Sequence, residues 1–297
     1  MEIAPRSIRR SAAVAPVRAE LITADQGRQV TEIVRQAAGL RIDPRKLDFL
    51  TLRLSRRLRA LSIDGFDAYM HLLSGENGPE EVRHLVEALT THTTSFFREA
   101  KHYEWLAGDG LADLAARGAG IDRTLVVWSA ACSTGVELWS AAITLAEAAR
   151  RPAGIRRFSL FGTDISRRIL RQAESATYSE LEIEGVSREY LTRYFMRSRA
   201  THTRARTTFY RVVPELRRYA RFAEANLSAL SGLKDLQADV IFLRNVLIYF
   251  DSQTQARIVS DVAARLRTGG YLLTGHAESA PPELGLKAVG PSIYRRV

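Results

Sequence analysis

Two short stretches carry residue types that could do chemistry together. Trp128-Ser-Ala-Ala-Cys-Ser-Thr-Gly135 is a run of small residues between an apolar segment and a helical one. Such a turn lets backbone N–H groups approach a ligand closely, and the helix N-terminus behind it adds positive potential. Ala131, Gly135 and Glu137 are the candidate contacts there. Thr163-Asp164 closes the next apolar segment, and an acidic side chain at the end of a second strand can accept both hydroxyls of a ribose. By position alone, the first stretch is equally a plain strand-to-helix connection and Asp164 a helix N-cap. Together they favour a ligand containing adenosine, with NAD and S-adenosylmethionine (SAM) both open.

Such residues need strands that end at a common edge. Leu125–Ser129, Phe158–Thr163, Asp239–Leu243 and Tyr271–Gly275 read as strands, and Glu137–Arg150, Ser166–Ala176 and Ser252–Arg267 as helices between them. This alternation implies an α/β fold, a parallel sheet covered by helices, with ligands at the carboxyl ends of the strands. Leu286–Val297 is expected to add an antiparallel hairpin at the sheet edge, and Thr201–Tyr219, rich in Arg, Thr and Tyr, a small inserted β element.

Ahead of that region, residues 21–90 show only helical patterns. Asp43-Pro44 reads as an N-cap and first-turn pair for a helix whose leucines recur at 47, 50, 54, 58 and 61. Its polar side carries Lys46, Arg53, Arg56, Arg57 and Arg59, which is either a solvated face or a docking face for an acidic partner. The Gly and Asp content of Ala107–Asp122 marks a linker or turn zone, making 91–122 a linker helix and turn region, and 1–20, with Arg6, Arg9 and Arg10, a loose basic tail. The α/β region then runs over 123–297, with no internal repeat.

With 297 residues, 46% of them apolar, the chain can bury one large core and a smaller one. Forty-three basic against 33 acidic residues leave a formal charge of +10, which suits a phosphate backbone or a carboxylate-rich helix. The single cysteine, Cys132, excludes an internal disulfide and fits a reducing, cytoplasmic setting. No apolar run approaches the roughly 18 residues that span a bilayer, so direct membrane insertion is not expected.

Three strings resolve the function class. Thr90-Thr-His-Thr-Thr-Ser-Phe-Phe-Arg-Glu99, Phe242-Leu-Arg-Asn-Val-Leu-Ile-Tyr-Phe-Asp251 and Gly269-Gly-Tyr-Leu-Leu-Thr-Gly-His-Ala-Glu-Ser279 each resemble a signature of the CheR-type chemotaxis receptor methyltransferases, in the same order. The likeness runs from about Leu21 to Val297 and takes in Gly39-Leu-x-Ile-x-Pro-x-Lys46, Ala176-Thr-Tyr178, Tyr194-Phe195 and Asn226-Leu227. It implies an N-terminal helical domain, a Rossmann-like SAM-binding domain and a small antiparallel β-subdomain inserted late in it.

The resemblance also implies roles. Thr94, Arg98, Asp164, Asn226, Leu227, Arg244 and Asn245 would line the SAM pocket, Tyr249 would stand near the sulfonium, and Arg98 would orient a glutamate carboxylate of the substrate. Without it, Arg98 reads as a surface ion pair with Glu99 or a neighbour, and Tyr249 as a core aromatic. The partner implied is the cytoplasmic domain of a methyl-accepting chemotaxis receptor, the product cofactor is S-adenosylhomocysteine (SAH), and a monomer with no metal is expected. One string departs from the family: Gly135-Val-Glu-Leu-Trp-Ser140 stands where Gly-Glu-Glu-Pro-Tyr-Ser is usual, so Val136 replaces the first glutamate, the expected contact to the methionyl part of SAM. Losing one charge-assisted hydrogen bond costs roughly 1.5 to 3 kcal/mol, which leaves a non-catalytic SAM/SAH-binding or receptor-binding adaptor as the alternative. Methylation of another protein or of nucleic acid is less favoured, since Arg244-Asn-Val-Leu-Ile-Tyr249 replaces the Asn/Asp-Pro-Pro-aromatic turn common in amino-directed nucleic-acid enzymes.

Overall fold

A computed structural model describes residues 21–151, 155–198, 208–280 and 284–297. The expected basic tail, 1–20, and the first part of the expected β insertion, 201–207, lie outside the described residues. The described residues form two compact units, one holding residues 21–30 together with Asp43–Leu89, the other Thr31–Ile42 and the described part of 90–297. The division falls within α1 (Ala24–Ala38).

The first unit is helical. Leu50, Leu54 and Leu58 of α2 (Leu47–Leu61) are buried, as the leucine spacing requires, and so are Phe66, Tyr69 and Leu73 of α3 (Phe66–Ser74). α4 (Gly78–Leu89) packs on both helices. The start of α2 departs from expectation. Its N-cap is Lys46, whereas Asp43 and Pro44 form a preceding turn in which Asp43 Oδ1 accepts the N–H of Arg45 at 3.0 Å. An aspartate can serve an Asx-type turn as readily as a cap, and the sequence does not distinguish them.

After the end of α1, the second unit continues with α5 (Lys101–Trp105), a π-helical turn and α6 (Leu111–Ala116), so the segment expected to be a turn zone is largely helical. The α/β elements follow as β1 (Leu125–Ala130), α7 (Val136–Ala149), β2 (Phe158–Asp164) and α8 (Arg167–Ser175). β3 (Thr177–Ser179), α9 (Arg188–Tyr194), β4 (Phe195–Arg197), β5 (Phe209–Val212) and α10 (Pro214–Arg217) come next. β6 (Ala220–Glu224), β7 (Ala238–Leu243), α11 (Ser252–Ala263), β8 (Leu266–Thr274), β9 (Leu286–Gly290) and β10 (Ile293–Arg296) complete the chain.

Seven strands form one sheet in the order β6-β2-β1-β7-β8-β10-β9. The first five run parallel, and β10 pairs antiparallel with both β8 and β9, which makes the expected edge hairpin. β1 has β2 on one side and β7 on the other, so the direction of winding reverses there, the place where open parallel sheets bind ligands at the carboxyl ends of their strands. β3, β5 and β4 form a separate antiparallel sheet. The small sheet therefore begins near Thr177, well before the insertion expected at Thr201. Trp128, Leu160, Val240, Phe242 and Leu273 lie in the core of this unit, where strands covered on both faces exclude water.

Candidate SAM site

The turn after β1 is built from backbone geometry that few residues adopt. Ala131, Ser133 and Gly135 have φ of 71°, 51° and 83°, in the left-handed region. At position 135 a Cβ would stand 2.8 Å from the Cβ of Ala173, so glycine alone fits. The N–H of Cys132 donates to the carbonyl of Thr163 at 2.7 Å, and the N–H of Ser133 to Oδ2 of Asp164 at 2.9 Å. The turn is thereby stitched to the end of β2.

Asp164 is only 6% exposed. Its other oxygen accepts the N–H of Ser166 at 3.0 Å. Burial raises its carboxyl above the usual value against the pull of the Ser166 N–H, His92 and the Ser133 N–H. Ser166, whose Oγ accepts the N–H of Ile169, caps α8, so Asp164 is not the N-cap. A carboxylate has about four acceptor positions, and the capacity left beyond these bonds and that of the Ile165 N–H suits a ribose hydroxyl.

Thr90–Glu99 is tied to this turn. Ser133 Oγ donates to the carbonyl of His92 at 3.1 Å, and the N–H of Phe97 to Ser140 Oγ on α7 at 2.9 Å. These bonds fix the segment that carries Thr94 and Arg98. The Arg98 side chain is exposed, with Nη1 donating to the carbonyl of Thr93 at 3.2 Å. Glu99, the expected ion-pair partner of Arg98, is instead 3.1 Å from Arg244.

Arg244 is buried among protein partners. Its side chain is 1% exposed, and its guanidinium donates to Glu99, to Tyr103 Oη at 3.2 Å, to Glu137 Oε2 at 3.2 Å and to the carbonyl of Arg98. Four of the five donors of the fork are spent on protein, so Arg244 is a buried hub that sets the positions of others. Burial would raise the carboxyl of Glu99, but Arg244 and the amide of Asn245 lower it overall.

The α7 N-terminus corrects the expectation about Val136. Val136 is 2% exposed within the apolar core, while Glu137 accepts a hydrogen bond from Ser129 Oγ at 2.7 Å and faces Arg244. Successive helical residues point about 100° apart, so only one of the two positions can face the site. That position is 137, and it has kept its glutamate. Burial raises the Glu137 carboxyl, with Arg244 opposing.

Asn226 and Leu227 follow β6. Leu227 is buried, and the Asn226 amide is engaged at both ends, Nδ2 donating to the carbonyl of Ala37 at 3.1 Å and Oδ1 accepting from the N–H of Ser228 at 2.9 Å. Ser228 Oγ donates to the carbonyl of Ala38, and the N–H of Arg41 to the carbonyl of Tyr249 at 2.7 Å. Residues 37–41 therefore hold the loop after β6 and the loop after β7. The Gly39-Leu-x-Ile-x-Pro-x-Lys46 string was the one sequence signal for this segment. Tyr249 is half-buried in a 3-10 turn, Leu247–Tyr249, and is not a core aromatic.

Asp164, the turn at 131–135 and Glu137 stand at the carboxyl ends of β1 and β2, with Asn226 and Asn245 just past β6 and β7. A buried acid with acceptor capacity beside a turn of small residues fits the ribose of SAM, and Glu137 and Glu99 fit its ammonium group. Residues 92–288 match the family described as "CheR methyltransferase, SAM binding domain", and 25–90 the "CheR methyltransferase, all-alpha domain". The chain belongs to the CheR methyltransferase family. It is 38% identical over 252 residues to the "Chemotaxis protein methyltransferase" of Salmonella typhimurium, covering 85% of this chain and 83% of that one. The Escherichia coli protein of that name matches with the same identity and coverage. The "Chemotaxis protein methyltransferase 2" of Pseudomonas aeruginosa is 35% identical over 92% of this chain and 93% of its own. CheR membership, with Glu137 in place, makes the protein a SAM-dependent methyltransferase and leaves the adaptor alternative without its premise.

On α2, Lys46, Arg56 and Arg59 are exposed, while Arg53 lies over the ring of Phe49 at 5.4 Å. Arg57 is corrected. Its guanidinium binds Glu81 in a bidentate pair at 2.8 and 2.5 Å, and Tyr69 Oη donates to the same carboxylate at 2.7 Å. It is a structural cation. Among the described residues no cluster of three His, Cys, Asp or Glu could hold a metal ion, and no helix is long and apolar enough to cross a membrane.

Proposed function

We propose that the protein esterifies glutamate side chains on the cytoplasmic domain of chemotaxis receptors, acting in the cytoplasm as a monomer. The observation that carries this reading is the gathering of Asp164, Glu137 and the Thr90–Glu99 segment around one turn in a chain of the CheR family. SAM supplies an electrophilic methyl carbon on a sulfonium. A glutamate carboxylate, with a pKa near 4.3, is already a nucleophile at neutral pH, so no general base is needed. What the protein provides is position and exclusion of water.

Asp164 holds the ribose, Glu137 and Glu99 face the ammonium group, and Asn245 completes the wall. Arg98, exposed at the mouth, offers its donor fork to the incoming carboxylate. Too tight a grip would stabilise the ground state as the two charges cancel, so its part is orientation. Tyr249 presents its ring or hydroxyl to the sulfonium. Lys46, Arg53, Arg56 and Arg59 dock the acidic receptor helix, and removal of one charge per ester alters repulsion between receptor helices.

The test is isothermal titration of SAM and SAH, followed by transfer of labelled methyl to receptor cytoplasmic fragments. Wild-type protein should bind both ligands and form a base-labile ester. Asp164→Ala should lose binding. A wild-type protein that binds neither ligand at millimolar concentration would end this reading.

A further inference from the structure

Glu278 lies in the Gly269–Ser279 string, outside every role assigned so far. Its side chain is buried and accepts four backbone hydrogen bonds. Oε2 takes the N–H of Asn245 at 2.7 Å and of Gly275 at 2.8 Å, and Oε1 takes the N–H of Val246 at 2.8 Å and of Leu247 at 2.7 Å. Val246 immediately precedes the 3-10 turn that ends in Tyr249, so Oε1 satisfies donors that the start of a helical turn leaves open.

Oε2 grips the N–H of Asn245, a non-glycine residue held at φ 56°. The junction leaves no spare room: a Cβ on Gly275 would stand 2.7 Å from both Asn245 Nδ2 and Glu278 Oε2. Glu278 is itself anchored, its N–H donating to the carbonyl of Gly275 at 2.9 Å and its carbonyl accepting from Thr274 Oγ1 at 3.0 Å. Two residues expected to touch SAM, Asn245 and Tyr249, thus depend on one carboxylate from another loop.

We infer that Glu278 is a positioning residue for methyl transfer, capping the turn that carries Tyr249 and locking Asn245 in its strained conformation. The inference rests on the SAM reading. Four donors need two oxygens that each accept twice. In Glu278→Gln one oxygen remains, and the amide NH2 is set against two N–H donors at unchanged volume.

The experiment titrates SAH into full-length wild type, Glu278→Gln and Gly275→Ala, with thermal unfolding and amide hydrogen exchange on each. Gly275→Ala perturbs the same junction with the glutamate in place. Glu81→Gln serves as the control, since it removes a buried carboxylate from the helical unit. Both junction variants should bind SAH about tenfold to a hundredfold more weakly, with faster exchange confined to Asn245, Val246, Leu247 and residue 275. The control should lower the Tm and keep wild-type affinity. Wild-type affinity in Glu278→Gln overturns the inference and leaves the SAM reading standing. Exchange that rises across the whole sheet, with affinity lost only in step with Tm, assigns Glu278 a merely structural role and also overturns it. Failure of the wild type to bind SAH removes both.

Discussion

At Asp164 the demands of folding and of binding oppose each other. Because burial raises its carboxyl, the folded apo protein holds this proton more tightly than the unfolded chain does. The associated stability is present below the unfolded value, about 3.9, and is lost as pH rises through the raised one. Ribose hydroxyls favour the carboxylate, so affinity changes the other way and falls on acidification. Asp164→Asn keeps one acceptor oxygen and should therefore weaken SAH binding and flatten its acid limb. Calorimetric titration from pH 5 to 8 checks both, and an unchanged acid limb would remove the assignment.

Positions 136 and 137 make a second test at this scale. Val136→Ala should cost about 2 kcal/mol of stability, from buried methyl groups and the cavity they leave, without changing SAH affinity. Glu137→Ala should weaken SAH binding by about tenfold or more. The reverse pattern would restore Val136 as the cofactor position. The sequence showed both residues but not which way each faced, because that depends on where the first turn of α7 begins. Glu278 was equally visible and equally mute, since three of the four N–H groups it serves belong to another loop.

Among the elements, the α2–α4 pairing depends on an ion pair spanning residues 57 and 81. Glu81 is 5% exposed and lowered overall, burial raising its carboxyl while Arg57 and Tyr69 pull it down more strongly. Glu81→Ala would leave both partners unsatisfied and should cost about 2 kcal/mol, below the usual buried-pair figure because the Arg57 side chain keeps 22% exposure. Urea unfolding followed by far-UV circular dichroism measures this. With a depressed acid the stabilisation is present at neutral pH and lost as pH falls through the folded pKa. Helix α2 was legible from its leucines, whereas the fate of its arginines was not, because a cation's partner can lie anywhere in the chain. β6 was missed for a related reason: Ala220-Arg-Phe-Ala-Glu224 is an edge strand, half exposed, and lacks the continuous apolar run of β1 or β7. β3 and β4, three residues each, are too short for any periodicity to register.

For the whole molecule, the net charge of +10 predicts a kinetic signature. Association with an acidic receptor helix should weaken with ionic strength, whereas SAM contacts within the site should not. Raising salt from roughly 50 to 300 mM should lower kcat/KM for receptor fragments several-fold with little change in the SAM Kd. Combined replacement of Arg56 and Arg59 by Ala should reduce that slope. A salt-independent kcat/KM would count against electrostatic docking.

Strand-and-helix alternation, the turn of small residues and the acid at the end of β2 were all readable from the chain, because they are local: neighbours a few residues apart decide them. The three signature strings placed the chain in its family for the same reason. Which side of α7 faces the ligand, why Arg244 is a hub and Arg57 a strut, and how Glu278 serves a loop 30 residues upstream were decided only on folding. Each of these depends on which donors and acceptors meet after burial has removed water as the competing partner, and that is a property of three dimensions.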